Sequence, residues 1–94
     1  MANGQGTSKT TTDHNAIKKW AEERGGKPAK VKGTGGGGDV GMIRFMFGGN
    51  DQALEEISWN DFFKEFDNKK LALLYQDKTR EGQLSRFFKF VRAR

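Results

Sequence analysis

Apolar positions recur at two spacings along this chain, and the change from one to the other marks its elements. In the run Ile57-Ser58-Trp59-Asn60-Asp61-Phe62-Phe63-Lys64-Glu65-Phe66, Trp59, Phe62, Phe63 and Phe66 fall at i, i+3, i+4 and i+7, one side of a helix. Ser58 is the expected N-cap. Asp61 stands three residues on in a near capping box, and Ile57 and Phe62 occupy the two ends of a hydrophobic staple. The helix should end near residues 67–68, with Asn68 as a left-handed C-cap. An earlier helix, capped by Asp13 or Thr12, carries the narrow stripe Ala16, Ile17, Trp20 and Ala21, and turns Lys18, Lys19, Glu22, Glu23 and Arg24 to water. Gly25-Gly26 stops it, with Pro28 just beyond.

Elsewhere the period is two. Residues 40–47 alternate, with Met42, Arg44 and Met46 on one side and Ile43, Phe45 and Phe47 on the other, the best strand in the chain. Lys30-Val31-Lys32 has a single apolar residue and reads as a short edge strand. Residues 71–76 are nearly all apolar and, by length and flanks, form a buried strand. Residues 84–94 fit two patterns. Leu84, Phe87, Phe88 and Val91 make a helical face with Ser85 as cap, whereas Phe88 and Phe90 opposite Phe87 and Val91 make a strand that pairs with 71–76; the helix is the preferred reading. Residues 1–10 lack apolar residues that could offset the entropy of ordering them, so a disordered tail is expected there. The remainder, 11–94, reads as one α+β domain. Its order is helix, short strand, strand, helix, strand, then a last helix or strand, with a small sheet packed against two or three helices. The expected core is Trp20, Ile43, Phe45, Trp59, Phe62, Phe66, Leu71 and Leu73, and the glycine-rich stretch 33–41 is a flexible loop within the domain.

Composition sharpens this picture. The chain has 94 residues and no cysteine, so neither a disulfide nor a zinc-thiolate site can staple it, and eight Phe, two Trp and one Tyr must supply the core. No stretch approaches the ~20 apolar residues of a membrane-spanning helix, and the polar N-terminus has no apolar leader. A cytoplasmic protein without a membrane partner is the expectation. Charge is unevenly placed: residues 1–33 carry seven Lys/Arg against three acids, 34–67 two against seven, and 68–94 eight against two. Two basic ends thus flank an acidic middle. That asymmetry suits ends attracted to the middle of one fold, and it also suits an acidic or nucleic-acid partner.

Candidate chemistry is sparse. Gly33-Thr34-Gly35-Gly36-Gly37-Gly38 matches G-x-G-x-x-G literally, but it leads into a strand rather than a helix and has Asp39 beside it, so a dinucleotide or phosphate loop is not expected. The one histidine, His14, has no second His or Cys to complete a metal site or to activate a serine. The carboxylate pairs Glu22/Glu23, Glu55/Glu56 and Asp61/Glu65 read as solvated helix faces and flanks. The chain is therefore expected to be no enzyme and to hold no cofactor or metal. Two binding surfaces stay in view. Met42, Arg44 and Met46 offer a mixed strand face for a protein partner. Alternatively, Lys18, Lys19, Arg24, Lys27, Lys30 and Lys32 at one end, with Arg86, Lys89, Arg92 and Arg94 among phenylalanines at the other, suit phosphates and bases.

Two strings carry a resemblance. One holds Asp13-His14, Ile17, Trp20-Ala21-Glu22-Glu23-Arg24-Gly25-Gly26-Lys27-Pro28-Ala29 and Val31-Lys32-Gly33-Thr34; the other holds Ile57-Ser58-Trp59, Phe62-Phe63, Phe66, Leu71-Ala72 and Tyr75-Gln76. Together they resemble a family of small bacterial proteins of about this size, which are sometimes labelled 1,4-α-glucan branching enzyme. Branching enzymes are large barrel proteins, and nothing in this chain supplies their carboxylates. The resemblance implies a shared fold and brings no activity with it.

Overall fold

Asp13 and Ser58 each start a helix as their side chains dictate. In the computed structural model, which describes residues 8–49 and 51–93, the Asn15 N–H donates to Asp13 Oδ1 at 3.0 Å, and the Asp61 N–H donates to Ser58 Oγ at 3.0 Å. The chain runs β1 (Ser8–Thr11), α1 (His14–Glu23), β2 (Gly26–Val31), β3 (Ile43–Phe47), β4 (Leu54–Glu56), α2 (Trp59–Asn68), β5 (Leu71–Gln76) and β6 (Phe88–Arg92). It is an α+β fold of two helices and two three-stranded antiparallel sheets, ordered β1-β5-β6 and β3-β2-β4. Among the described residues no helix is long and apolar enough to cross a membrane.

The core lies between these sheets and the helices. Ile17, Trp20 and Ala21 of α1 meet Ile43 and Phe45 of β3, Phe62 and Phe66 of α2, and Leu73 of β5. Phe62 stacks on Phe45 with ring centroids 5.2 Å apart. Trp20 touches the rings of Phe45, Phe47, Tyr75 and Phe88, and so packs against both sheets at once. Trp59 and Leu71, expected inside the core, are only half-buried at its margin. Because residues on a strand alternate between faces, the helices that cover Ile43 and Phe45 leave Met42, Arg44 and Met46 on the opposite side.

Five further expectations change. Ser8–Thr10, assigned to the disordered tail, form an edge strand on β5, with Lys9 opposite Tyr75; residues 1–7 of that tail lie outside the described residues. Of residues 30–32, read as an edge strand, Lys30 and Val31 end β2, the centre of its sheet, and Lys32 lies in the turn after it. Pro28 fits there because the backbone positions it shares with Phe45 form a non-hydrogen-bonded pair, while its carbonyl, on the other side, accepts from the Ile57 N–H at 3.0 Å just past the end of β4. β4 itself was not anticipated. The C-terminal segment is a strand, not a helix: Phe88 and Phe90 turn inward, Phe87 is exposed, and β6 pairs with β5. Finally, the glycine-rich loop is a folded hairpin. Gly36 and Asp39 exchange both backbone hydrogen bonds around Gly37-Gly38, whose φ angles of 60° and 90° require glycine.

The left-handed residue after α2 is Lys70, at φ 53°, and not Asn68. A side chain there carries a steric penalty that glycine avoids. Lys70→Gly is therefore expected to stabilise the fold by about 0.5–1 kcal/mol, read as a higher midpoint in urea unfolding; a lower midpoint would mean that the Lys70 side chain itself contributes.

Candidate functional site

The start of β3, the glycine hairpin, the end of α2 and the strands β5 and β6 of the other sheet converge on a groove of about 510 Å³. Thr34, Gly35, Asp39 and Gly41 form one wall, and Glu65 and Lys69 of α2 form another. Met42, Ile43 and Arg44 come from the start of β3, with Leu71, Phe90 and Arg92 facing them from β5 and β6.

The hairpin wall is built by short side-chain bonds. Thr34 Oγ1 donates to the Val31 carbonyl at 2.6 Å and accepts from the Met42 N–H at 2.9 Å, which ties the two ends of the loop. Gly41 is buried with φ 121°, and a Cβ there would press into the Thr34 carbonyl, so only glycine lets the chain close. The loop is then fastened to α2. Lys69 Nζ lies 2.9 Å from Asp39 Oδ2 and 2.9 Å from Glu65 Oε2. The Lys69 ammonium, helped by the Gly41 N–H and by Glu65, holds the Asp39 carboxyl below its ordinary 3.8. Asp39, followed by Glu65, holds the Lys69 ammonium above its ordinary 10.5. The Asp39 contribution is present above pH 3.8 and fades as pH falls through its lowered value. That of Lys69 is present below pH 10.5 and fades as pH rises through its raised value. The clamp is thus engaged across the neutral range.

The arginines are differently placed. Arg44 curls over the free edge of β3, donating from Nη1 to the Ile43 carbonyl at 2.9 Å, with Nη2 3.6 Å from Met42 Sδ. Among the described residues, no carboxylate lies within ion-pair distance of Arg44 or Arg92. Both acids of the groove are engaged by Lys69, whose single ammonium balances one of the two carboxylates, so with Arg44 and Arg92 the groove keeps one net positive charge. Met42, Ile43, Leu71 and Phe90 supply the apolar part of the same lining. Such an arrangement can hold an anionic group whose neighbours are apolar. Among the described residues, no three His, Asp or Glu side chains converge as metal ligands would.

Of the strand face Met42, Arg44 and Met46, the groove takes the first two; Met46 lies farther along the same side, opposite Lys27 and half-buried. The basic residues are dispersed over several elements. Lys18 and Lys19 share the outer side of α1 with Glu22 and Glu23. Lys27 and Lys32 are exposed, and Lys30 donates to the Thr34 carbonyl at 3.2 Å and sits opposite Glu55. Arg86 lies over the Phe47 ring at 5.4 Å, Lys89 is exposed on β6, and Arg92 is in the groove. Arg94 lies outside the described residues.

Two charged residues expected in solvent are interior. Arg24 is 5% exposed, because its guanidinium donates to the carbonyls of Trp20, Asp77 and Ser85 and stacks 4.5 Å from the Trp20 ring centroid. It fastens the end of α1 to the loop before β6 and is withdrawn from any phosphate. Glu65, read as part of a solvated pair with Asp61, is 3% exposed and turned to Lys69. The i, i+4 spacing of Glu65 and Lys69 was a legible signal for that contact; Asp39, thirty residues away, left none. His14 is held by neighbours too, stacked on Phe63 at 4.1 Å with Nε2 2.9 Å from Asp67 Oδ1, which joins the start of α1 to α2. Comparison with models of protein families, with curated proteins and with solved structures finds no match for this chain.

Proposed function

We propose that the protein is a non-enzymatic interaction module that docks a protein partner in the groove at the start of β3. The observation that carries this reading is the pairing of an apolar lining with two guanidinium groups that have no carboxylate within ion-pair distance among the described residues, beside the free edge of β3. Met42, 51% exposed, adds a flexible and polarisable contact of the kind that suits partner surfaces. The lack of cysteine fits a reducing cytoplasm. Nucleic-acid binding through the basic segments draws less support, since Arg24 is engaged inside the fold and Lys18 and Lys19 stand among acids.

The test is affinity capture from the native host at low and high salt, with the wild-type chain beside Met42→Asp. One protein retained through high salt by the wild type and lost by Met42→Asp is the expected result. Nucleic acid captured equally by both chains, and released by moderate salt, would refute the reading.

A further inference from the structure

The groove's charges specify the chemistry of its occupant, and here we propose that it recognises an acidic segment of the partner in which a carboxylate side chain is flanked by apolar residues. This rests on the docking reading above and narrows it. Three observations point the same way. The groove's own acids, Asp39 and Glu65, are both held by Lys69 at 2.9 Å as part of its wall, neither pairs with Arg44 or Arg92, and the five charges together leave the groove one net positive. Among the described residues, Arg44 is satisfied only by a carbonyl of its own strand and a thioether, both weaker partners for a guanidinium than a carboxylate. Arg92 reaches the same space from β6 and meets no carboxylate among the described residues.

The geometry explains why an acidic group should come with apolar neighbours. Leu71 and Phe90 line the same groove as Arg44 and Arg92, so a bare anion would leave that apolar lining wet, while an apolar side chain beside the anion would cover it. A basic or phosphate-rich ligand fits less well. The former meets Arg44 and Arg92 with like charge; the latter would bring several charges close to Asp39 and Glu65. When a carboxylate takes Arg44, the Ile43 carbonyl on the free edge of β3 is released to accept a hydrogen bond from the incoming backbone. One bond is thereby exchanged for two.

The experiment is a titration followed by backbone NMR, using a blocked hexapeptide of alternating leucine and aspartate. Its controls are the same peptide with lysine for aspartate, a twelve-residue oligothymidine, and inorganic phosphate. The expected result is saturable binding of the acidic peptide alone, with shifts at Ile43, Arg44, Leu71 and Arg92, and at least tenfold weaker binding in the Arg44→Gln, Arg92→Gln double variant. Both arginines are surface-accessible, and a matched thermal midpoint for the variant would show that its fold is kept. Equal binding of the lysine peptide, the oligonucleotide or phosphate in the groove would overturn the inference, as would no saturable binding of the acidic peptide. If the acidic peptide fails while Met42→Asp still abolishes capture of the partner, the inference on charge falls and the docking reading stands. If neither responds, both fall.

Discussion

Replacing Trp20 by alanine is expected to destabilise the fold by about 3–5 kcal/mol, among the largest effects of any single truncation in the chain. Trp20 is 4% exposed and is in contact with four aromatic rings drawn from both sheets, and its Nε1–H donates to the Gln76 carbonyl at 3.0 Å. Alanine there removes the apolar contacts, opens a cavity between the sheets that the surrounding rings cannot fill, and leaves the Gln76 carbonyl without its donor. A domain of this size has a total stability of roughly 5–15 kcal/mol, so the variant should unfold tens of degrees lower or fail to fold. Trp59→Ala provides the contrast. Trp59 is half-buried and stacks on Phe63 at the edge of the core, and its loss is expected to cost about half as much. Urea unfolding of the two variants would decide the matter, and equal losses would contradict the placement of Trp20 as the joint between the sheets.

The second large effect comes from a charge. Arg24→Met keeps the aliphatic stem against Trp20 but removes every donor from a side chain that is 1% exposed. The carbonyls of Trp20, Asp77 and Ser85 then lose a buried partner, and the expected loss is about 3 kcal/mol. Arg24→Lys should restore little of it, since one ammonium cannot reproduce the planar fork that reaches three carbonyls. Lys19→Met, on the exposed side of the same helix, should stay within about 0.5 kcal/mol. Thermal unfolding of the three variants measures this. A small loss for Arg24→Met would show that the loop before β6 holds its place without the guanidinium.

What could be read from the sequence was local. Asp13 and Ser58 cap helices through bonds to residues two and three positions on, and the stripes behind them repeat within ten residues, so α1 and α2 were legible. The alternation of Ile43, Phe45 and Phe47 gave β3 for the same reason. β1 and β4 were not legible, because short polar strands carry no pattern of their own and are stabilised by hydrogen bonds to β5 and β2. β6 satisfied both periods, and only its pairing with β5, together with the space for Phe88 and Phe90 beside Phe45, selects the strand. The burial of Arg24 depends on carbonyls more than fifty residues away, and the groove depends on Asp39 meeting Lys69. Met42 and Arg44 were visible as a mixed face; that they stand opposite Leu71, Phe90 and Arg92 is a product of tertiary folding alone.

The placement of the docking surface is the claim on which the functional account turns. It is tested most directly by amide hydrogen exchange of the chain alone and in complex with its captured partner. Slowed exchange confined to residues 34–44, 65–71 and 90–92 is the expected footprint. Slowed exchange over 18–32 and 86–89, with the groove unchanged, would contradict the account and move the binding surface to the basic segments.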